Sequence, residues 1–147
     1  MANIVITGAT AGIGRASAIL LARKGHRVFA AGRNSEVLEE LDNEYEHITP
    51  VSLDVTDPDS IAAAASAVSA TLDGRSPDVL VNNAGYAVVG PLEAISDEEW
   101  VRQYETNVLG LVRVTRAFLP GMRERHQGRI VNVSSVAGRV TLPFFGP

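Results

Sequence analysis

Thr7-Gly8-Ala9-Thr10-Ala11-Gly12-Ile13-Gly14 sits between a short apolar run and a segment of helical period. Backbone N–H groups at a helix start attract anions, and glycine lets a phosphate-bearing ligand come close to the chain. The spacing is Gly-x-x-x-Gly-x-Gly, not the commoner Gly-x-Gly-x-x-Gly, and no Gly-Lys-Ser/Thr follows, which excludes a P-loop. An ordinary glycine-rich turn is the alternative; the strand before and helix after favour phosphate binding. Gly32-Arg33-Asn34 ends a second apolar run. An acidic residue there would hydrogen-bond the ribose hydroxyls of NAD, whereas Arg33 suits the 2′-phosphate of NADP, so NADP is expected, with NAD the alternative. Asp54-Val55 ends a third run, where an Asp can accept from the exocyclic amine of an adenine or close an Asx-turn. Asn82-Asn83-Ala84-Gly85 ends a fourth, with two amides to fix backbone and two small residues to leave room.

These residues need a scaffold that brings strand ends together. Apolar β-branched runs at Asn3–Thr7, Arg27–Ala31, Ile48–Leu53, Val79–Asn82 and Arg129–Val133 read as strands. Helical period fills the intervals: Ile13 to Arg23, closed by Gly25; Ser35 to Tyr45; and Asp57 to Leu72, with Asp57 as cap and Pro58 at the first position. A long helix opens at the capping box Ser96-Asp97-Glu98-Glu99 and runs towards Arg125, with Gly110 and Pro120 expected to bend or thin it. Pro50 assigns the third strand to an edge or a strand start. Alternating strands and helices predict an α/β, doubly wound parallel sheet of order 3-2-1-4-5. Ligands bind such sheets at the carboxyl ends of the strands, where all four motifs fall.

At 147 residues the chain fits a single domain. The absence of Cys excludes a disulfide framework, a zinc–thiolate site and a thiol nucleophile. A net charge of −4 argues against nucleic-acid binding through the bulk field. The N-terminus lacks the basic and apolar regions of a signal peptide, and Ile61 to Ala70 is about half a membrane span, so no membrane partner and a cytoplasmic location are expected. His26, His47 and His126 lack metal-ligand spacing, and no Gly-x-Ser-x-Gly elbow occurs. Arg102, Arg113, Arg116, Arg123 and Arg125 read as an exposed or subunit-facing stripe.

Taken in order, Thr7-Gly8-x-x-x-Gly12-x-Gly14, Asp54-Val55, Asn82-Asn83-Ala84-Gly85, Asn107 and Val133-Ser134-Ser135 resemble the short-chain dehydrogenases/reductases over essentially the whole chain. The resemblance implies NAD(P)-dependent oxidation of alcohols or reduction of carbonyls by dimers or tetramers, with a small-molecule substrate. Gly8, Thr10, Gly12, Ile13 and Gly14 would line the pyrophosphate and ribose. Asp54 and Val55 would hold adenine, and Asn83 with Ala84 would sit beside its ribose and the nicotinamide side. Asn107 would bend its helix locally and hold a proton-relay water. Ser135, next to Ser134, would bind the substrate oxygen and stabilise its developing charge. Read without the family, Asn107 is a helix-surface amide and both serines are caps.

The family's general acid is a Tyr four residues before a Lys, about a dozen residues beyond the Ser. Here Tyr45, Tyr86 and Tyr104 precede no Lys at that spacing, Lys24 is the lone lysine, and twelve residues follow Ser135. The chain is therefore expected to be the N-terminal portion of a longer protein, a single domain incomplete at its C-terminus, inactive alone and prone to aggregate at its uncovered fifth strand. The alternative is a non-catalytic nucleotide-binding or regulatory domain, for which Asn107 and Ser135 would have no use. Leu142-Pro143-Phe144-Phe145 fits a hydrophobic substrate wall or core packing equally well.

Overall fold

The computed structural model describes residues 1–140. Five parallel strands, β1 (Asn3–Thr7), β2 (Arg27–Gly32), β3 (Ile48–Ser52), β4 (Val79–Asn82) and β5 (Arg129–Asn132), form one sheet of order β3-β2-β1-β4-β5. The expected topology is the observed one, and Pro50 lies in an edge strand, where its missing N–H costs no ladder bond on the open side.

Successive residues of the central strands alternate between two cores. Ile4, Ile6, Val28 and Ala30 pack under α1 (Gly12–Arg23) and α2 (Ser35–Glu44), against Ala18, Ala22, Leu38 and Leu41. Val5, Phe29, Ala31 and Leu80 pack under α3 (Pro58–Thr71) and α5 (Leu111–Glu124), against Ile61, Val68, Val114 and Phe118. Burial on both faces is why these strands read as unbroken apolar runs. Covering one face from α1–α2 and the other from α3–α5 reverses the winding between β1 and β4, which opens a crevice at their carboxyl ends.

Caps fix where helices begin and end. Asp57 accepts from the Asp59 N–H at the start of α3, and Ser96 and Glu99 form the expected capping box of α4 (Asp97–Tyr104). The α1 terminus is a Schellman turn: Gly25 (φ 81°) donates to the Ala22 carbonyl and His26 to Leu21. The same pattern closes α3 with Asp73 (φ 54°) and α5 with His126 (φ 51°), left-handed positions that no glycine announced.

The long helix is interrupted where Asn107 and Gly110 were expected to bend it, and not at Pro120. Between α4 and α5 the residues Glu105–Gly110 wind as a π-turn, while Pro120 sits inside an unbroken α5. A π-turn inserts a residue without ending the helix, so the apolar period alone does not mark it. Gly110 is small for another reason: a Cβ there would lie 2.8 Å from Val55 Cγ2, because the β3–α3 turn rests against it. The arginine stripe also divides. Arg113 pairs with Glu105 at 2.5 Å, but Arg125, its side chain 27% exposed, is structural. It donates to Ser76 Oγ (3.1 Å), Asp78 Oδ1 (3.3 Å) and the Pro77 carbonyl (3.0 Å), and Asp78 Oδ2 in turn accepts from the Asn3 N–H (2.8 Å).

Candidate cofactor cleft and substrate edge

The β1–α1 turn uses its three glycines in three ways. Gly8 (φ 65°) is left-handed, and a Cβ on it would come within 2.9 Å of Ala84 Cα. Gly12 (φ 52°) is left-handed with open space where a Cβ would stand. Gly14 carries no strained dihedral; a Cβ there would overlap the Gly8 carbonyl oxygen and Asn83 Nδ2. Thus Gly14 seats the helix on the turn, and Gly12 leaves room in front of it. Ala11, the N-cap of α1, offers no side-chain acceptor, and the first turn holds no acidic residue. The leading N–H groups of α1 therefore have no side-chain acceptor, the arrangement at which anions bind helix starts. Ile13, 69% exposed, stands beside them.

A clasp joins this turn to the end of β4. Buried Thr7 accepts both the Asn83 and Ala84 N–H groups through Oγ1 at 3.0 Å, and Asn83 Nδ2 donates to the Thr7 (3.0 Å) and Gly8 (3.2 Å) carbonyls. Behind it Asn82 donates to Thr115 Oγ1 (3.0 Å) and Asn132 Oδ1 (2.9 Å), tying β4 to α5 and β5.

A cavity of about 360 Å³ opens beyond the clasp. Gly8 and Thr10 wall it from the turn after β1, Arg33 from that after β2, Asp54 and Val55 from that after β3, and Ala84 from that after β4. Six of the sequence-selected residues therefore meet in one cleft. Gly12, Ile13, Gly14 and Asn83 belong to the adjoining turn and clasp. Gly85, read as leaving room, also lines it, while sequence reasoning passed over Ala11, Gly32, Asn34, Leu53 and Thr106 as lining residues. Gly32 had a readable signal, a glycine at a strand end: its Cβ would press within 2.7 Å of Thr10 Cγ2.

Asp54 closes the Asx-turn and also faces Arg33. Its Oδ1 closes an Asx-turn on the Thr56 N–H (2.9 Å) and hydroxyl (2.7 Å), while Oδ2 lies 3.7 Å from the Arg33 guanidinium. The Thr56 N–H and hydroxyl hold the Asp54 carboxyl below its usual range; partial burial opposes them, and Arg33 adds to the lowering. Arg33 is 78% exposed at its side chain, so most of its five donors face the solvent of the cleft.

Asn107 and Ser135 stand outside the lining of that cavity. Asn107, in the π-turn, accepts the Tyr86 N–H (3.1 Å) and donates to the Tyr86 carbonyl (2.8 Å), and its neighbour Thr106 lines the cleft. Ser135 follows β5, and its Oγ accepts from the Ala137 N–H at 3.1 Å, capping the 3-10 turn Val136–Gly138. The cap uses an Oγ lone pair, and the hydroxyl proton has no acceptor among the described residues. Leu142-Pro143-Phe144-Phe145 lies outside the described residues. Among the described residues no three His, Asp or Glu side chains gather as metal ligands, and no helix is long and apolar enough to cross a membrane.

Known proteins share this arrangement. A family model described as short chain dehydrogenase matches residues 2–147. Dehydrogenase/reductase SDR family member 7B of Bos taurus is 40% identical over 97% of this chain and 46% of its own length. The NADP-dependent 3-hydroxy acid dehydrogenase YdfG of Salmonella typhi is 42% identical over 92% of this chain and 54% of its own. An actinorhodin polyketide ketoreductase, solved with NADPH, superposes with a TM-score of 0.92 at 37% identity, covering 99% of this chain and 57% of that one. The chain thus spans about half the length of the relatives it matches.

Proposed function

The chain belongs to the short chain dehydrogenase family, and we propose that it binds NADP(H) as part of an oxidoreductase acting on a small-molecule carbonyl or alcohol. One observation carries the reading: a solvent-facing Arg33 guanidinium stands on the cleft wall beside an uncapped helix start with open space before Gly12. The residues fit a dinucleotide diphosphate. Gly8 and Gly14 bring backbone where side chains would collide, Gly12 leaves the approach clear, and the α1 N–H groups have no competing acid. Arg33 would take the 2′-phosphate, which a planar fork of donors suits. Asp54 and Val55 would hold adenine, and Asn83 and Ala84 the ribose and nicotinamide side. NAD in place of NADP would leave Arg33 facing only the Asp54 carboxylate, 3.7 Å away. NADP-dependence in the 3-hydroxy acid dehydrogenase and NADPH in the ketoreductase structure support the same cofactor.

When bound, the nicotinamide supplies or accepts the hydride. Ser135 would donate its hydroxyl proton as a hydrogen bond to the substrate oxygen, with Oγ held in place by Ala137. Asn107 would serve proton relay; the Tyr86 bonds use one hydrogen of its amide and one oxygen lone pair, leaving one of each. No Tyr stands four residues before a Lys in this sequence, so residues 1–147 hold cofactor and orient the oxygen without that proton donor. Both relatives' names describe oxidoreduction, which supports this reading over a nucleotide sensor. A homodimer or tetramer in the cytoplasm completes the proposal; exposed Val101 and Tyr104 on α4 offer apolar surface to a second copy.

Fluorescence titration with NADPH and a carbonyl panel followed by NADPH absorbance test the proposal. Saturable binding with negligible turnover by residues 1–147 is expected. No binding overturns the cofactor reading, and robust turnover overturns the assignment of the proton donor elsewhere.

A further inference from the structure

The loop after β4 is held almost entirely by side chains. Residues 83–89 form no helix or strand, and among the described residues no backbone–backbone hydrogen bond outside helices and strands falls on them. Three alternate amides are gripped instead. The Ala84 N–H goes to Thr7 Oγ1 (3.0 Å), Tyr86 N–H to Asn107 Oδ1 (3.1 Å) and Val88 N–H to Gln103 Oε1 (2.6 Å). In extended chain, N–H groups two residues apart point to one side, where a neighbouring strand usually receives them. Here Thr7 from β1 and two helix side chains four residues apart stand in for that strand. There is little play in the row, since a Cβ on Gly85 would lie 3.0 Å from Asn107 Oδ1. Ala84, Gly85 and Tyr86 line the cleft, so the last grip, at Val88, sits two residues beyond its wall.

We propose that Gln103 is a positioning residue for the cofactor cleft. By holding Val88 it ends the row of gripped amides and keeps the wall from Ala84 to Tyr86 in its binding position. Without it the loop is anchored at Asn107 alone on its far side, and cofactor binding has to order it. The inference rests on the NADP(H) reading above and extends it to a residue that touches neither the cavity nor a motif.

The test compares Gln103→Leu, which removes the acceptor, with Gln103→Glu, which keeps a carboxylate oxygen in its place. Amide hydrogen exchange at Val88 and Tyr86 is read without cofactor, and the NADPH dissociation constant by fluorescence. For Gln103→Leu, Val88 exchange is expected to rise about tenfold and the dissociation constant about fivefold. Gln103→Glu should keep both within about twofold of wild type, a rescue that general loosening of α4 would not give. If Gln103→Leu does not fold, Gln103→Met makes the same comparison. Faster Val88 exchange with unchanged NADPH affinity overturns the positioning role, as does equal weakening by Leu and Glu. Failure of the wild-type chain to bind NADPH overturns the cofactor reading and this role with it; unaltered Val88 exchange in Gln103→Leu overturns the grip itself, whatever the cofactor does.

Discussion

At the amino ends of β1 and β4 the chain is tied by charge, with Arg125 reaching Ser76, Pro77 and Asp78, and Asp78 reaching back to Asn3. At the carboxyl ends of the same strands the ties are a threonine hydroxyl and an asparagine amide, set among glycines that admit no side chain. The first arrangement fills its own donors and acceptors. The second fastens backbone to backbone and leaves a charged guanidinium, Arg33, and a row of helix N–H groups facing open space. One end of the sheet spends its polar groups on the fold, and the other leaves some of them exposed at an open cleft.

Substitutions at the two ends should separate affinity from stability. Gly14→Ala puts a methyl group on the Gly8 carbonyl and the Asn83 amide. It should weaken NADPH binding by about a hundredfold, roughly 2.7 kcal/mol, read by fluorescence titration. Near-native affinity in that variant would break the link between tight turn packing and the ligand site. At the opposite end, Arg125→Met removes three donors from a partly exposed network. Discounted for solvent screening, the loss should be about 1–2 kcal/mol of stability in chemical denaturation, with NADPH affinity unchanged.

Acid should act through the same network. Burial alone would raise the Asp78 carboxyl, but the Asn3 N–H and Arg125 outweigh it and hold it below its usual range. A carboxylate lowered in the folded state contributes stability above its unfolded value of about 3.9, and that contribution fades as pH falls through the folded value. Asp54 behaves alike for a different reason, its Thr56 contacts. Denaturation midpoints measured between about pH 6 and 2 should fall with acid, and Asp78→Asn should flatten that fall; an unaltered acid limb would remove Asp78 from the account. The smallest effect belongs to His126, left-handed at the end of α5. His126→Gly should stabilise by about 0.5 kcal/mol, since glycine avoids the left-handed penalty and gives back part of it as chain entropy. A lower melting temperature would contradict this.

Strand order and the tight glycine turn after β1 were legible because they rest on local, residue-specific physics: β-branched runs between Gly, Pro and Asx punctuation, and glycines where only glycine fits. Asp57, Ser96 and Gly25 marked helix ends for the same reason. The π-turn at Glu105–Gly110 was not legible from period, since one shifted hydrogen-bond register leaves no distinctive residue behind. Arg125 read as surface because an arginine's partners are set by tertiary approach, here a β4 entry 47 residues away. Tyr86 entered the cleft through loop geometry and Thr106 through the π-turn, and Gln103 reaches a loop amide by a single bond; spacing along the chain encodes none of these.

Paired titrations of wild type and Arg33→Ser with NADPH and NADH bear most directly on the claim that the open end of the sheet is an NADP(H) site. The account predicts that wild type binds NADPH at least about tenfold tighter than NADH. Arg33→Ser should abolish that preference by losing NADPH affinity alone, with its melting temperature unmoved because Arg33 is solvent-facing. Equal affinity of wild type for both nucleotides, or a preference that survives Arg33→Ser, would contradict it.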